Sequence, residues 1–136
     1  MKPSRLETVR RVALVRETAA RAAAAALQRA HAEAGATRVA RVEELSRTGF
    51  RSGAARLALA DGAQRGRLSA SVTDASADLA AADVQRLIGV QSALTATRNA
   101  RLLDKVCDRH RSEALAAGEA VTQRLLDDLS GKGSTA

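Results

Sequence analysis

The stretch from Arg98 to Leu129 repeats small and apolar residues at steps of four and three. This spacing places them on one face of an α-helix, with charged residues on the remaining faces. A stripe this narrow, with small residues in half of its positions, fits a coiled-coil seam better than the wide apolar face of a globular helix. The stripe consists of Leu103, Cys107, His110, Ala114, Ala117, Val121 and Leu125. We therefore expect a long helix that packs against a second helix.

The rest of the sequence lacks the side chains that fill a rounded core. Phe50 is the single aromatic residue, and alanine supplies much of the 46% hydrophobic content. Alanine is the best helix former and suits thin contacts between helices. The one proline, Pro3, lies at the very start, so no proline interrupts the helices downstream. Composition therefore favours an elongated all-α protein.

A first helix is predicted from residue 4 to residue 47. Ser4 and Glu7 have the spacing of a capping box, which marks a helix start. Apolar and small residues then alternate at three and four, with Arg16 and Arg41 as polar interruptions of the same frame. The predicted stripe is Leu6, Val9, Ala13, Ala20, Ala23, Leu27, Ala30, Ala34 and Thr37.

A glycine-rich turn region is predicted between residues 48 and 71, because Gly49, Gly53, Gly62 and Gly66 fall within it. The second helix is expected from 72 to 130, followed by a flexible tail over 131–136 that Gly131 begins. Its stripe starts as Val72, Ala75, Leu79, Ala82, Leu87 and Leu94. The midpoint of the two helices lies near residue 67, so two arms of similar length are expected. The predicted fold is an antiparallel two-helix coiled-coil hairpin.

The charge distribution agrees with an antiparallel arrangement. The formal net charge is +7, with residues 1–50 carrying net +5 and residues 112–136 net −2. Pairing the two ends would place Arg5, Arg10 and Arg11 near Glu119, Asp127 and Asp128. A basic chain is attracted to nucleic acid, anionic lipid or an acidic protein face. The preference for arginine has two explanations, codon usage or selection for bidentate contacts.

No catalytic, cofactor or metal site is indicated by the sequence. His31 and His110 lack acidic or cysteine partners at ligand spacing. Cys107 is the single cysteine and suits a small seam position. Phe50, in the turn region, either plugs the end of the hairpin or is presented to a partner.

Five cations cluster in the predicted second helix. They have two interpretations, a solvated helix face or a stripe that binds an acidic partner. The cluster consists of Arg98, Arg101, Lys105, Arg109 and Arg111.

The chain opens with Arg5-Leu6-Glu7-Thr8-Val9, and its last long segment contains Leu102-Leu103-Asp104-Lys105 and Leu125-Leu126-Asp127-Asp128. With this pattern it resembles the bacterial flagellar export protein FliJ family. The resemblance begins with Arg5-Leu6-Glu7-Thr8-Val9, continues through an alanine-rich helix and a glycine-rich turn, and is most specific in the last thirty-odd residues. The residues that carry it there are Leu102, Leu103, Asp104, Lys105, Arg109, His110, Glu113, Ala114, Glu119, Leu125, Leu126, Asp127 and Asp128.

The resemblance implies a non-enzymatic coiled coil similar to the central stalk subunit of rotary ATPases. The implied partners are the hexameric flagellar export ATPase, the cytoplasmic domain of the export gate and export chaperones. By position, the ends of the hairpin would approach the ATPase ring, and the middle and turn would face the gate. The end residues concerned are Arg5, Arg10, Arg11 and Arg124.

We expect a soluble cytoplasmic protein, since the chain has one cysteine, a charged start and no apolar stretch of about 20 residues. The resemblance implies a peripheral location at the inner-membrane face of the flagellar basal body. Two alternatives remain. The first is a basic helical protein that binds nucleic acid or another polyanion, although no aromatic interleaving or recognition motif supports it. The second is a generic coiled-coil scaffold.

Overall fold

The computed structural model describes residues 5–48 and 55–132 of the chain. They form two helices, α1 over Arg5–Arg47 and α2 over Ala55–Lys132, and no strand occurs in these two ranges. The predicted all-α fold of two helices is therefore confirmed. Ser4, Gly49, Phe50, Gly53 and the last four residues of the predicted tail lie outside the described residues.

The chain divides into two compact units. One, the hairpin unit, is Thr18–Thr95 and contains the end of α1 and the first half of α2. Its two helices run antiparallel. His31 contacts Asp83, and seven residues further along α1, Arg38 contacts Ser76, which lies seven residues earlier on α2.

The other, the terminal unit, combines Met1–Glu17 with Ala96–Ala136. Its helices are antiparallel as well. The sulfur of Cys107 lies 4.0 Å from the carbonyl oxygen of Leu6, and Arg10, one turn later on α1, bonds to Asp104, one turn earlier on α2.

In each unit the less exposed residues of both helices follow a coiled-coil spacing of four and three. On α1 this seam consists of Leu6, Arg10, Ala13, Glu17, Ala20, Ala24, Leu27, His31 and Ala34. On α2 it consists of Leu68, Val72, Ala75, Leu79, Ala82, Arg86, Gly89, Ala93, Ala96, Ala100, Leu103 and Cys107.

Five residues of the predicted α1 stripe are correct, and four are wrong. Leu6, Ala13, Ala20, Leu27 and Ala34 lie in the seam, seven residues apart, as predicted. The positions between them do not. Val9, Ala23, Ala30 and Thr37 are exposed, and the residues that follow each of the first three, Arg10, Ala24 and His31, take their place. At two of these positions the reason is a polar contact with α2, because Arg10 binds Asp104 and His31 lies 3.5 Å from Asp83. Polar residues thus occupy positions that were predicted to be apolar.

The predicted α2 stripe is correct at Val72, Ala75, Leu79, Ala82, Leu103 and Cys107. It is wrong at Leu87 and Leu94, which are exposed on the outer side of the helix. Gly89 and Ala93 lie in the seam instead. A β-carbon built on Gly89 would lie 2.6 Å from Cδ1 of Leu27 and 3.5 Å from Cα of Ala24. The helices approach so closely here that the seam takes small residues and turns the leucines outward.

The predicted turn region is too long, and the equal arm lengths are wrong. Of residues 48–71, Thr48 is not helical, 49–54 lie outside the described residues, and 55–71 belong to α2. α2 begins at Ala55, so Gly62 and Gly66 are helical, and α1 has 43 residues against 78 in α2. Gly131 is helical too and does not cap the helix. A helical glycine costs only about 1 kcal/mol relative to alanine, and the neighbouring alanines, leucine and arginines favour the helix. Serine and threonine are accommodated because their hydroxyls bond to carbonyls four residues earlier, as Thr73 does to Ser69.

The seam buries few side chains. Among the hydrophobic residues that the structure describes, Ala75, Ala100 and Cys107 are buried, whereas nineteen large hydrophobic residues are exposed. The free energy gained by burial grows with the apolar area removed from water. The seam of each unit buries little such area, because its buried residues are small. A chain with this distribution has apolar surface left for partners.

Candidate interaction site

Among the residues that the structure describes in the terminal unit, no other helix lies beside the final part of α2. Every residue from Asp108 to Gly131 is exposed, whereas Cys107, opposite Leu6, is buried. We call residues 112–131 the overhang. At 1.5 Å per residue it is about 30 Å long.

Two predictions about this segment are wrong. His110, Ala114, Ala117, Val121 and Leu125 were expected in a seam with the first helix, and all are exposed. The N-terminal arginines were expected beside Glu119, Asp127 and Asp128, but Arg10 pairs with Asp104. The reason for both is the unequal length of the helices. α1 reaches only the level of Cys107, and α2 runs on for another 25 residues, to Lys132.

The overhang is amphipathic in its own right. One face repeats at steps of four and three, in a phase different from that of the seam. This apolar face consists of Leu115, Gly118, Thr122, Leu125 and Leu129, flanked by Val121 and Leu126. Leu125 is 59% exposed and Leu129 is 71% exposed. The opposite face carries polar and charged residues together with two alanines, Glu113, Ala116, Ala120, Gln123, Arg124 and Asp127.

A shallow groove lies where this apolar face meets the polar side of the helix. Its lining residues are Ala114, Leu115, Gly118, Glu119, Thr122 and Gln123. No atom lies within 4 Å of where a β-carbon on Gly118 would be. A partner side chain can therefore approach the backbone of the overhang at Gly118.

A second candidate surface is formed by four of the five predicted cations. Arg98, Arg101, Lys105 and Arg109 follow steps of three and four and are exposed, on the side of α2 opposite Ala100, Leu103 and Cys107. We call these four residues the basic row. Within the described part of the chain, Arg98, Arg101 and Lys105 form no ion pair, and Arg109 binds Glu113 at 2.9 Å. The fifth cation, Arg111, binds Asp108 at 3.5 Å.

Among the remaining predicted partner-binding residues, Arg5, Arg11 and Arg124 are exposed. Phe50 lies outside the described residues, so both of its interpretations stand as predictions. Arg10 is different, because it lies in the seam and donates from Nε to the carboxylate of Asp104. The hydrogen bond that Arg10 donates to Asp104 and the negative charge of that carboxylate raise the pKa of Arg10. This guanidinium is engaged within the chain and is the predicted site residue least suited to a partner.

A set of polar contacts across the seam was not predicted from the sequence. In the hairpin unit, Nε2 of His31 lies 3.5 Å from Asp83, and Nε of Arg38 donates to the hydroxyl of Ser76 at 3.1 Å. In the terminal unit, Arg10 binds Asp104. These contacts could have been predicted from the spacing of polar residues along the two helices. The three residues on α1 are separated by multiples of seven, and their partners on α2 by the same multiples in reverse order.

A small cleft in the terminal unit is lined by Leu6, Glu7, Cys107, His110 and Arg111. Over residues 5–48 and 55–132, no three His, Cys, Asp or Glu side chains are grouped so that they could bind a metal ion. In the same ranges, neither helix contains an apolar segment that could cross a membrane.

The chain matches no model of a known protein family, and neither the curated proteins nor the solved structures contain a significant match.

Proposed function

We propose that the protein is a non-enzymatic component of the bacterial flagellar type III export apparatus, a coiled-coil stalk of the export ATPase and an escort for export chaperones. The resemblance of the sequence to the FliJ family suggests this role. The single observation that supports it most is the overhang, since an antiparallel helix pair that continues as one helix is the form expected of a central stalk.

The exposed surfaces suit such a role. The overhang offers Leu115, Leu125 and Leu129 to a partner, and an exposed apolar face of this kind is typical of a protein interface. The basic row offers cations that can bind an acidic partner such as the export gate or a chaperone. In this proposal the overhang enters the ATPase ring, and the protein is located in the cytoplasm at the base of the flagellum.

A binding assay with the purified export ATPase tests this role. We expect Leu125→Ala together with Leu129→Ala to weaken binding by at least about 100-fold, because two leucine contacts are lost. The matched control is Val84→Ala with Ile88→Ala, which removes side chains of similar exposure (55% and 56%) from the hairpin unit. The control should bind as the wild type does. Equal affinity of both double variants would contradict the placement of the overhang in the ring.

Deletion of the gene gives the corresponding test in the cell. A stalk of the export ATPase is needed for efficient export, so the deletion strain should spread poorly in soft agar, and the wild-type gene should restore spreading. Normal swimming of the deletion strain would argue strongly against a flagellar role.

The basic row supports a second candidate, binding of nucleic acid or another polyanion. Four exposed cations in a line can neutralise about four phosphates, which predicts a slope of about −3 to −4 for log affinity against log salt concentration. Gel shifts across a salt series measure this slope. Replacing Arg98, Arg101 and Lys105 by glutamine should remove most of it, whereas binding that is insensitive to both salt and substitution would exclude this candidate.

A further inference from the structure

We infer that two copies of this chain associate through their overhangs in an antiparallel pair, in the absence of other partners. This inference does not depend on the proposed function. Most of the stability of a helix in a protein comes from packing of its apolar face, and the apolar face of the overhang is exposed. The exposure of Leu115, Leu125 and Leu129 therefore calls for a covering surface, and the overhang itself has the features of one.

The spacing of the apolar face allows self-pairing. Arg111, Leu115, Gly118, Thr122, Leu125 and Leu129 follow steps of 4, 3, 4, 3 and 4, which read the same in both directions. An antiparallel second copy, related by a two-fold axis near Ala120, therefore meets the first copy in matching positions. Leu115 faces Leu125, and Gly118 faces Thr122. The open space at Gly118 accommodates the larger threonine of the second copy.

Charge favours the antiparallel direction. Arg111 faces Leu129 of the second copy and lies beside its Asp128, and the two-fold axis repeats this contact at the other end of the pair. The aliphatic stem of Arg111 can cover Leu129 while its guanidinium reaches the carboxylate. In a parallel pair, Arg111 would face a second Arg111, and Gly118 would face Gly118 and leave a gap. The antiparallel pair avoids both problems.

One contact in the antiparallel pair is unfavourable and leads to a test. Next to the two-fold axis, Glu119 of one copy approaches Glu119 of the other. Like charges at such positions oppose association by a small amount that depends on salt. Glu119→Gln should therefore strengthen self-association about two- to threefold at low salt, with little effect at high salt.

Sedimentation equilibrium of the full chain tests the association itself. The wild type should show a monomer–dimer equilibrium. Leu125→Ala should raise the dissociation constant by about 100-fold or more, because the symmetry repeats the loss in both copies. The control Ile88→Ala, whose side chain is 56% exposed in the hairpin unit, should leave the constant unchanged. A wild type that stays monomeric throughout, or a dimer lost on Ile88→Ala and retained on Leu125→Ala, would overturn the inference.

Cross-linking tests the direction of the pair. In a Cys107→Ser background, which removes the single native thiol, a mixture of the Gly118→Cys and Thr122→Cys chains should form a mixed disulfide on mild oxidation. The Gly118→Cys chain alone should cross-link poorly. Efficient cross-linking of Gly118→Cys with itself, without the mixed product, would indicate a parallel pair and refute the antiparallel one.

The outcome is separable from that of the proposed function. Self-association is measured without the export ATPase, and ATPase binding is measured at concentrations where the chain is monomeric. A dimer with no affinity for the ATPase would sink only the proposed function. A monomer that binds the ATPase through Leu125 and Leu129 would sink only the dimer. If both are correct, the ATPase and the second copy compete for the overhang.

Discussion

The close approach of the helices at Gly89 leads to a quantitative prediction. Gly89 and Gly66 are both helical glycines of the hairpin unit, but they differ in surroundings. A β-carbon on Gly66 meets no atom within 4 Å, whereas one on Gly89 lies 2.6 Å from Cδ1 of Leu27. Alanine in place of a helical glycine stabilises by about 0.5–1 kcal/mol when nothing opposes it. Gly66→Ala should therefore stabilise the protein by about that amount.

Gly89→Ala should gain much less. Cδ1 of Leu27 has to move by about 1 Å to reach ordinary contact distance. Turning a side chain about 30° away from a rotamer costs about 0.5–1.5 kcal/mol. This cost offsets the gain in helix propensity, so the net change should be close to zero. The two glycine substitutions should thus differ by about 1 kcal/mol.

Urea unfolding followed by circular dichroism at 222 nm measures both changes, and a double-mutant cycle isolates the contact. Leu27→Ala should cost less in the Gly89→Ala background than in the wild type, because the crowded methyl group is gone, with a coupling of about 0.5–1.5 kcal/mol. The same cycle with Gly66→Ala is the control and should give no coupling. If Gly89→Ala stabilises as much as Gly66→Ala and shows no coupling to Leu27, the helices are not in close contact at Gly89.

Two further predictions concern the terminal unit. Removing residues 112–136 should lower the helical signal but change the free energy of unfolding by less than about 0.5 kcal/mol under monomeric conditions. The reason is that the overhang is exposed along its whole described length. Unfolding of the whole chain on truncation would show that the overhang is packed. Asp104→Ala and Arg10→Ala should each lower the free energy of unfolding modestly, and by less at high salt. The double variant should be no less stable than either single variant. Additive losses would show that the two side chains do not interact.

The period of the helices could be predicted from the sequence, and their pairing in detail could not. A repeat of seven identifies Leu6, Ala13, Ala20 and Leu27 on α1 without reference to a partner. The position between them depends on what lies opposite. Val9 and Arg10 are both compatible with the pattern, and Asp104, 94 residues away, decides in favour of Arg10. Hydrophobicity alone favours Val9 over Arg10 for the seam, because the local sequence does not contain the residue that Arg10 contacts on the other helix.

The location of the turn was mispredicted for a related reason. Glycine and serine between residues 48 and 71 suggested a long irregular segment, but helix propensity is a weak preference that the surrounding residues override at Gly62 and Gly66. The overhang was not predicted because of this same error in the arm lengths. With equal arms, Leu125 belongs to a seam, and with the observed arms it is exposed on the overhang. The basic row depended only on spacing along one helix, and its exposure was predicted correctly.

The overhang exists only if α1 and α2 pair in the observed register, with Leu6 opposite Cys107. A disulfide tests this register directly. Cys107 lies 4.0 Å from the carbonyl oxygen of Leu6, so Leu6→Cys should form an intramolecular disulfide with the native Cys107 under mild oxidation at low protein concentration. Two equal arms folded near residue 67 would instead bring position 6 close to Asp128. We predict efficient closure between positions 6 and 107, and none between Leu6→Cys and Asp128→Cys in the Cys107→Ser background. Closure to position 128 without closure to position 107 would contradict the account.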